Sequence, residues 1–143
     1  MVISFLTAMV ATLSFSILYS TPRRHLFACA ITGAVGWIIY SVLTALDFQV
    51  MTATFCAAFA LAFLSRIFAV AMQAPITIYL IPGIFPIVPG AGIYYTAYYF
   101  FLNNFGRSAS YGQETAKMAL AIAFGIIFAM SIPQKFFKIF KRR

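Results

Sequence analysis

The chain is poor in the residues that water-facing folds and acid–base enzymes depend on. Among 143 residues it has two carboxylates, Asp47 and Glu114, one histidine, His25, and two cysteines. Charged residues make up 8% and hydrophobic residues 64% of it, against about 25% and 45–50% in soluble domains, so a soluble fold of this size could not hide its apolar side chains. So few carboxylates and imidazoles supply no nucleophile–base pair, and no phosphate loop or metal cluster stands in the sequence. That excludes a recognisable enzyme site and implies no cofactor. Cys29 and Cys56 each sit inside an apolar run, without a second Cys or a His at ligand spacing, and read as small buried hydrophobes. His25 lies beside Arg23 and Arg24 with no further ligand type near it, which argues against a metal site.

What the chain does have is long apolar runs and cations. The net charge of +8 would suggest nucleic acid on a soluble chain. Here Arg23, Arg24, Lys135, Lys138, Lys141, Arg142 and Arg143 gather in one loop and one tail, matching the excess of Lys and Arg on cytoplasmic segments of membrane proteins. The sequence therefore predicts an all-α, polytopic integral membrane protein with no nucleic-acid partner. A single transmembrane domain occupies residues 1–143, with five spans at about 2–19, 26–46, 50–72, 75–102 and 115–132 and a basic tail at 134–143. The first span has no cation before it and no small-residue cleavage site after it, so it is expected to be a retained helix.

Pro22 ends the first span, and Asp47 closes the second at the opposite face. The third is rich in alanine (Ala57, Ala58, Ala60, Ala62), which suits close packing on a neighbouring helix in lipid. Residues 103–110 read as a polar loop, and Ser110 with Gln113 has the spacing of a capping box at a helix start. The tail alternates cations with Phe136, Phe137 and Phe140, a pattern suited to an anionic lipid surface. Placing both cationic segments in the cytoplasm puts the N-terminus outside and the C-terminus inside, with Arg107 on the outer side.

The fourth apolar block is the most informative. Residues 81–90 read IPGIFPIVPG, and these prolines and glycines break a helix near 82–90. In hydrocarbon, irregular backbone survives only where protein covers it or where it lines a wet cavity, and transporters build substrate sites from such broken helices. A new half-helix beginning near Gly90–Gly92 would offer its first amides to a carboxylate. The other reading is a plain hairpin loop at the membrane surface. After the break, Tyr94/Tyr98 and Tyr95/Tyr99 form a double stripe at helical spacing, fitting either a polar path or an interfacial aromatic belt. Arg66, inside the third span, either faces the bundle interior and pairs with a substrate carboxylate or snorkels to the headgroups. Glu114 and Lys117, three residues apart, either pair with each other or supply a proton-linked carboxylate.

The stretch from Ser65 and Arg66 through Pro75 to IPGIFPIVPG and Tyr94 resembles the smaller, five-helix half of the threonine/serine exporter family. Pro22 to His25 and Gly125 to Pro133 sit where that half places its first loop and last helix, so the resemblance covers nearly the whole chain. Phe85 and Pro86 between the two Pro-Gly units, and the dense tyrosine cluster, depart from the pattern. The resemblance implies an exporter of small amino acids, chiefly threonine and serine, or of dicarboxylates such as succinate, in the bacterial inner membrane. It further implies the short component of a split system, working with a larger five-helix partner or as a homo-oligomer among membrane lipids. The expected substrate site takes in Pro82, Gly83, Pro86, Pro89 and Gly90 at the break, with Arg66, Tyr94, Tyr95 and Tyr98 contacting the small-molecule substrate. Glu114 and Lys117 are the coupling candidates. A non-transporting regulatory or structural subunit is the alternative.

Overall fold

Hydrocarbon offers the backbone no hydrogen-bond partners, so apolar runs of this length close their bonds within helices. The computed structural model describes residues 2–133, 136 and 137, and it is all-α. Helix α1 is Val2–Leu18, and a 3-10 turn at Arg23–His25 leads into α2, Leu26–Ala45. Helix α3 is Val50–Ala71 and α4 is Thr77–Ile84, followed by a 3-10 turn at Phe85–Ile87. Helix α5 is Gly90–Phe101 and α6 is Phe105–Ser131. Three helices are long and apolar enough to cross a membrane: Arg23–Ala45, Val50–Ala71 and Phe105–Ser131. The bent pair Thr77–Ile87 and Gly90–Phe101 makes a fourth if it counts as one span, and α1, with 17 residues, is shorter. Three to four candidates thus stand where the sequence predicts five.

Four helix ends share one geometry. Ser20, Asp47, Gln73 and Asn103 all have left-handed φ, between 50° and 58°. Beyond each, an amide reaches back five residues: Thr21 to Ser16 O, Phe48 to Leu43 O, Ala74 to Ala69 O and Asn104 to Tyr99 O, at 2.9–3.1 Å. These Schellman-type ends satisfy carbonyls that the helix leaves open, and they reverse the chain in a few residues.

Helix α3 packs chiefly on α2 and α6, α1 lies along α2, and α4 wedges against α2 and α3. The centre is a cluster of Ala57, Ala58, Leu61, Ile87 and Ile122. Ala57, Ala58 and Ala62 are buried, as the alanine pattern predicts. Opposite them a Cβ on Gly125 would come within 2.7 Å of Phe55 O, so only glycine lets α6 lie this close to the α3 backbone.

Two expectations need correction. Residues 103–110 are not a loop. Helix α6 starts at Phe105, capped by the Asn104 side chain, which accepts from the Arg107 amide at 3.3 Å. Its polar residues serve the helix pair, Ser108 Oγ donating to Thr96 O of α5 at 2.8 Å. The break also begins later than Pro82, which lies inside α4. Proline at 82 leaves the carbonyl four residues back, at Ile78, without its helical donor. The Cys29 thiol of α2 takes that place, with Sγ 3.2 Å from Ile78 O. Cys29 is therefore a hydrogen-bond donor as well as a small buried residue. Apart from Phe136 and Phe137, the basic tail lies outside the described residues.

Candidate transport site at the broken helix

The break sits at mid-depth of the bundle. A Cβ on Gly36 would meet Ile87 Cδ1 and Leu61 Cδ1, both at 3.0 Å, and Gly36 and Leu61 lie near the middles of α2 and α3. The chain leaves α4 through Phe85–Ile87, passes an extended Val88, and re-enters helix at Gly90 with an overall bend of 53°. Phe85 is held from α1 by stacking on Phe15, with ring centroids 4.1 Å apart.

The start of α5 presents free donors. The Gly90 amide bonds back to Val88 O at 2.7 Å, and the first i→i−4 bond of the helix runs from Ile93 to Pro89 O at 3.1 Å. The amides of Ala91 and Gly92 lie between these and have no helical acceptor. Both residues line a cavity of about 420 Å³. Its walls come from four places: Trp37 and Tyr40 of α2, residues 86–92 of the break, Tyr95 of α5, and Tyr111, Glu114, Thr115 and Met118 of α6. Helix α5 seats on α6 at Gly92, where a Cβ would collide with Thr115 Oγ1.

This cavity offers complementary charges. The N-terminal end of α5 carries positive helix-dipole character and unpartnered N–H groups, which favour an anion. Glu114 supplies a negative charge to the same cavity, and phenol and indole rings supply π faces for a cation. No ion pair joins Glu114 to Lys117 among the described residues, so their helical spacing is not used for pairing.

The predicted site residues separate into groups. Pro86, Pro89, Gly90, Tyr95 and Glu114 line the cavity together. Pro82 and Gly83 are buried in α4 instead, where a Cβ on Gly83 would meet Thr32 Cγ2 at 3.2 Å. The tyrosine stripe splits. Tyr95 and Tyr99 reach Tyr111 of α6, tilted at 5.3 Å and stacked at 5.5 Å, although Tyr95 stays exposed, whereas Tyr94 and Tyr98 stack on each other and are exposed as well. Lys117 is exposed on α6 and is not part of the cavity wall.

Arg66 stands apart from the break. It is buried at the far end of α6, where its Nη1 donates to Ala129 O, Met130 O and Ile132 O at 2.8, 2.9 and 2.7 Å. Its guanidinium also lies 4.4 Å from the centroid of the Phe137 ring. Pro133 prevents α6 from continuing, and Arg66 caps the carbonyls left open, with its charge favourably placed at the negative end of the helix. A second cavity, of about 400 Å³, opens beside Arg66, Val70, Ala74 and Met130.

Sequence reasoning missed Trp37, Tyr40, Tyr111 and Thr115. The available signal was the only tryptophan with a tyrosine one helical turn on, inside an otherwise apolar span, and Tyr111 and Thr115 flanking Glu114 on α6.

A strongly apolar helical bundle with a broken helix at mid-depth, its free helix start facing a cavity, has the build of a membrane transporter. The family model described as Threonine/Serine exporter, ThrE, matches residues 4–132, and the chain belongs to that family. At the family level it is a membrane transporter of the threonine/serine exporter type, not an enzyme. No curated protein and no solved structure matches the chain.

Proposed function

We propose that the chain is one subunit of a secondary exporter that carries a small zwitterionic amino acid, of the threonine or serine kind, out across the bacterial inner membrane. The observation that carries this reading is the double polarity of the cavity at the break. The free amides of Ala91 and Gly92 receive the substrate carboxylate, and Glu114 with Tyr95 receives its ammonium group. A dicarboxylate would set its second charge against Glu114, so succinate-like substrates fit this cavity less well than amino acids. Glu114 is also the coupling candidate in this reading. Pro86, Pro89 and Gly90 shape the cavity, and Tyr94, Tyr98 and Lys117 flank it on the outer face.

Five spans complete this reading, with α1 and the bent α4–α5 pair both crossing. The loop holding Arg23 and Arg24 shares its end of the bundle with Arg66, and Asp47 and Asn103 lie at the other end. That charge difference supports a cytoplasmic C-terminus and an outer N-terminus. The exposure of α5 supports a partner. Helix α5 packs on α6 and has no buried residue, so the cavity wall it forms is open on one side. The larger five-helix component, or a second copy, closes it.

The test is efflux from vesicles loaded with labelled serine, threonine or succinate, with the chain alone, with its larger partner and with neither. Amino-acid efflux that requires both proteins, and is lost in Glu114→Ala, is the expected result. Succinate efflux untouched by Glu114→Ala would overturn the zwitterion assignment. Efflux by the partner without this chain would make the chain a regulatory or structural subunit.

A further inference from the structure

The chain's only histidine lies outside the proposed substrate cavity, in a contact that fixes its protonation state. His25 ends the turn Arg23–His25 and is 1% exposed. Both ring nitrogens are engaged. Arg24 Nε lies 2.7 Å from Nε2, and the Tyr79 hydroxyl lies 2.6 Å from Nδ1. A guanidinium N–H only donates, so Nε2 must accept. The neutral ring then carries its proton on Nδ1, which donates to the Tyr79 oxygen. A proton on Nε2 would set two N–H donors and two positive charges against each other at 2.7 Å. Docking of Arg24 and protonation of His25 therefore exclude one another. Arg24 is an exposed residue, so its guanidinium has water and headgroups to move into.

The contact lies where it can act on the broken helix. Tyr79 is fully buried on α4 and packs on Phe68 of α3 as well as on His25. Its bond to His25 is the one buried side chain–side chain hydrogen bond between separate elements among the described residues. Beside it, a cavity of about 280 Å³ separates the loop Ser20–Pro22 from Thr77, Ile81 and Pro82 of α4. The break at Phe85 lies six residues further along the chain from Tyr79, about 9 Å at 1.5 Å per residue. The titratable and charged groups around His25 among the described residues are Arg24 of its own turn, Tyr79 of α4 and Cys29 of α2, and none of them is a carboxylate.

We propose that His25 is a proton-binding switch at the inner mouth of the transporter. A proton taken from cytosolic water by Nε2 expels Arg24 and loosens the 19–25 loop from α4, and return of the proton to water lets Arg24 redock. The use of this switch in transport rests on the exporter reading above, but its chemistry does not.

With a single histidine, the full chain labelled with ¹⁵N-histidine in lipid bilayers reports the site directly by solid-state NMR. The expected neutral form has a protonated Nδ1 and a bare Nε2. Arg24→Gln should make protonation about tenfold easier, moving the titration midpoint up by about one pH unit. A spin label at Thr77→Cys, in a Cys29→Ser, Cys56→Ala background, should gain mobility as His25 titrates and should not do so in His25→Asn. A neutral form protonated on Nε2, a midpoint unmoved by Arg24→Gln, or a label indifferent to the titration would overturn the proposal. Burial and the Arg24 charge hold the His25 titration below the ordinary imidazole range, so in efflux assays the pH dependence below about 6.5 should flatten in His25→Asn, and an identical pH profile would count against the switch. Absence of wild-type efflux with the NMR results as expected would remove the transport reading and leave the proton site standing.

Discussion

A guanidinium in an apolar helix needs several acceptors, and Arg66 finds them in the open carbonyls of another helix. Removing it leaves those carbonyls buried without a donor and the end of α6 without its cation. Arg66→Ala should lower the stability of the detergent-solubilised protein by about 2–4 kcal/mol, read as a drop in the thermal unfolding midpoint. Arg66→Lys should recover only part of that, because a single ammonium cannot reproduce the planar contact with Phe137. Efflux per folded molecule should survive in both variants. Loss of efflux at wild-type stability would instead return Arg66 to the substrate path. Cys29 offers a second test at the same scale. Its thiol serves the Ile78 carbonyl only because Pro82 cannot, so the two residues should be coupled. Cys29→Ala should cost about 1 kcal/mol in the wild-type chain and Cys29→Ser much less. In a Pro82→Ala background, where residue 82 regains its N–H, the cost of Cys29→Ala should fall towards zero in a double-mutant cycle.

Among the elements, the break was the part most legible in the sequence. Proline and glycine act on the backbone locally, so IPGIFPIVPG announces an interrupted helix without tertiary information. Its limits were less legible. Pro82 stays helical because a residue from α2, distant in sequence, supplies the missing bond. Residues 105–114 are helical because Asn104 caps them and Thr96 O of α5 gives the Ser108 hydroxyl a partner. Helical spacing likewise revealed that Tyr94, Tyr95, Tyr98 and Tyr99 share one side of α5. Which of them meets α6 depends on where that helix packs, and the contact falls to Tyr95 and Tyr99 through Tyr111. The seat of α5 on α6 can be tested through one contact. In Gly92→Ala the new methyl meets Thr115 Oγ1, so α5 must shift and the free amides leave the cavity. Efflux should fall about tenfold or more, since misplacement by about 1 Å at a positioned site costs up to a hundredfold. Thr115→Ala should rescue Gly92→Ala by removing the colliding oxygen, and Thr115→Ser, which keeps it, should not.

At the scale of the whole molecule, the sequence predicts five spans; three helices are long and apolar enough to cross, and the other two crossings fall to the bent α4–α5 pair and to α1. Its 17 residues span about 25 Å, short of a hydrocarbon core of roughly 30 Å. Length alone would allow α1 to lie in the interface. Its packing argues for crossing. Thr12 fits the backbone notch at Gly33 of α2, and Phe15 stacks on Phe85 at the break, so α1 runs beside α2 into the interior of the bundle. Buried Thr12 and Ser16 bond to the carbonyls of Ala8 and Thr12 four residues back, which lets α1 bring hydroxyls inside without unpaired groups. Five spans need both a crossing α1 and a crossing α4–α5 pair, and single cysteines in the Cys29→Ser, Cys56→Ala background read out each of them. A membrane-impermeant thiol reagent added outside intact spheroplasts should label Ile3→Cys, Asp47→Cys and Asn103→Cys. Thr21→Cys and Gln73→Cys should react only after the membrane is opened. An interfacial α1 would move Ile3→Cys to the second group and leave the other four unchanged. Ile3→Cys therefore reads the crossing of α1, and Gln73→Cys against Asn103→Cys reads that of the bent pair, since labelling of both from the same side would make the pair re-entrant.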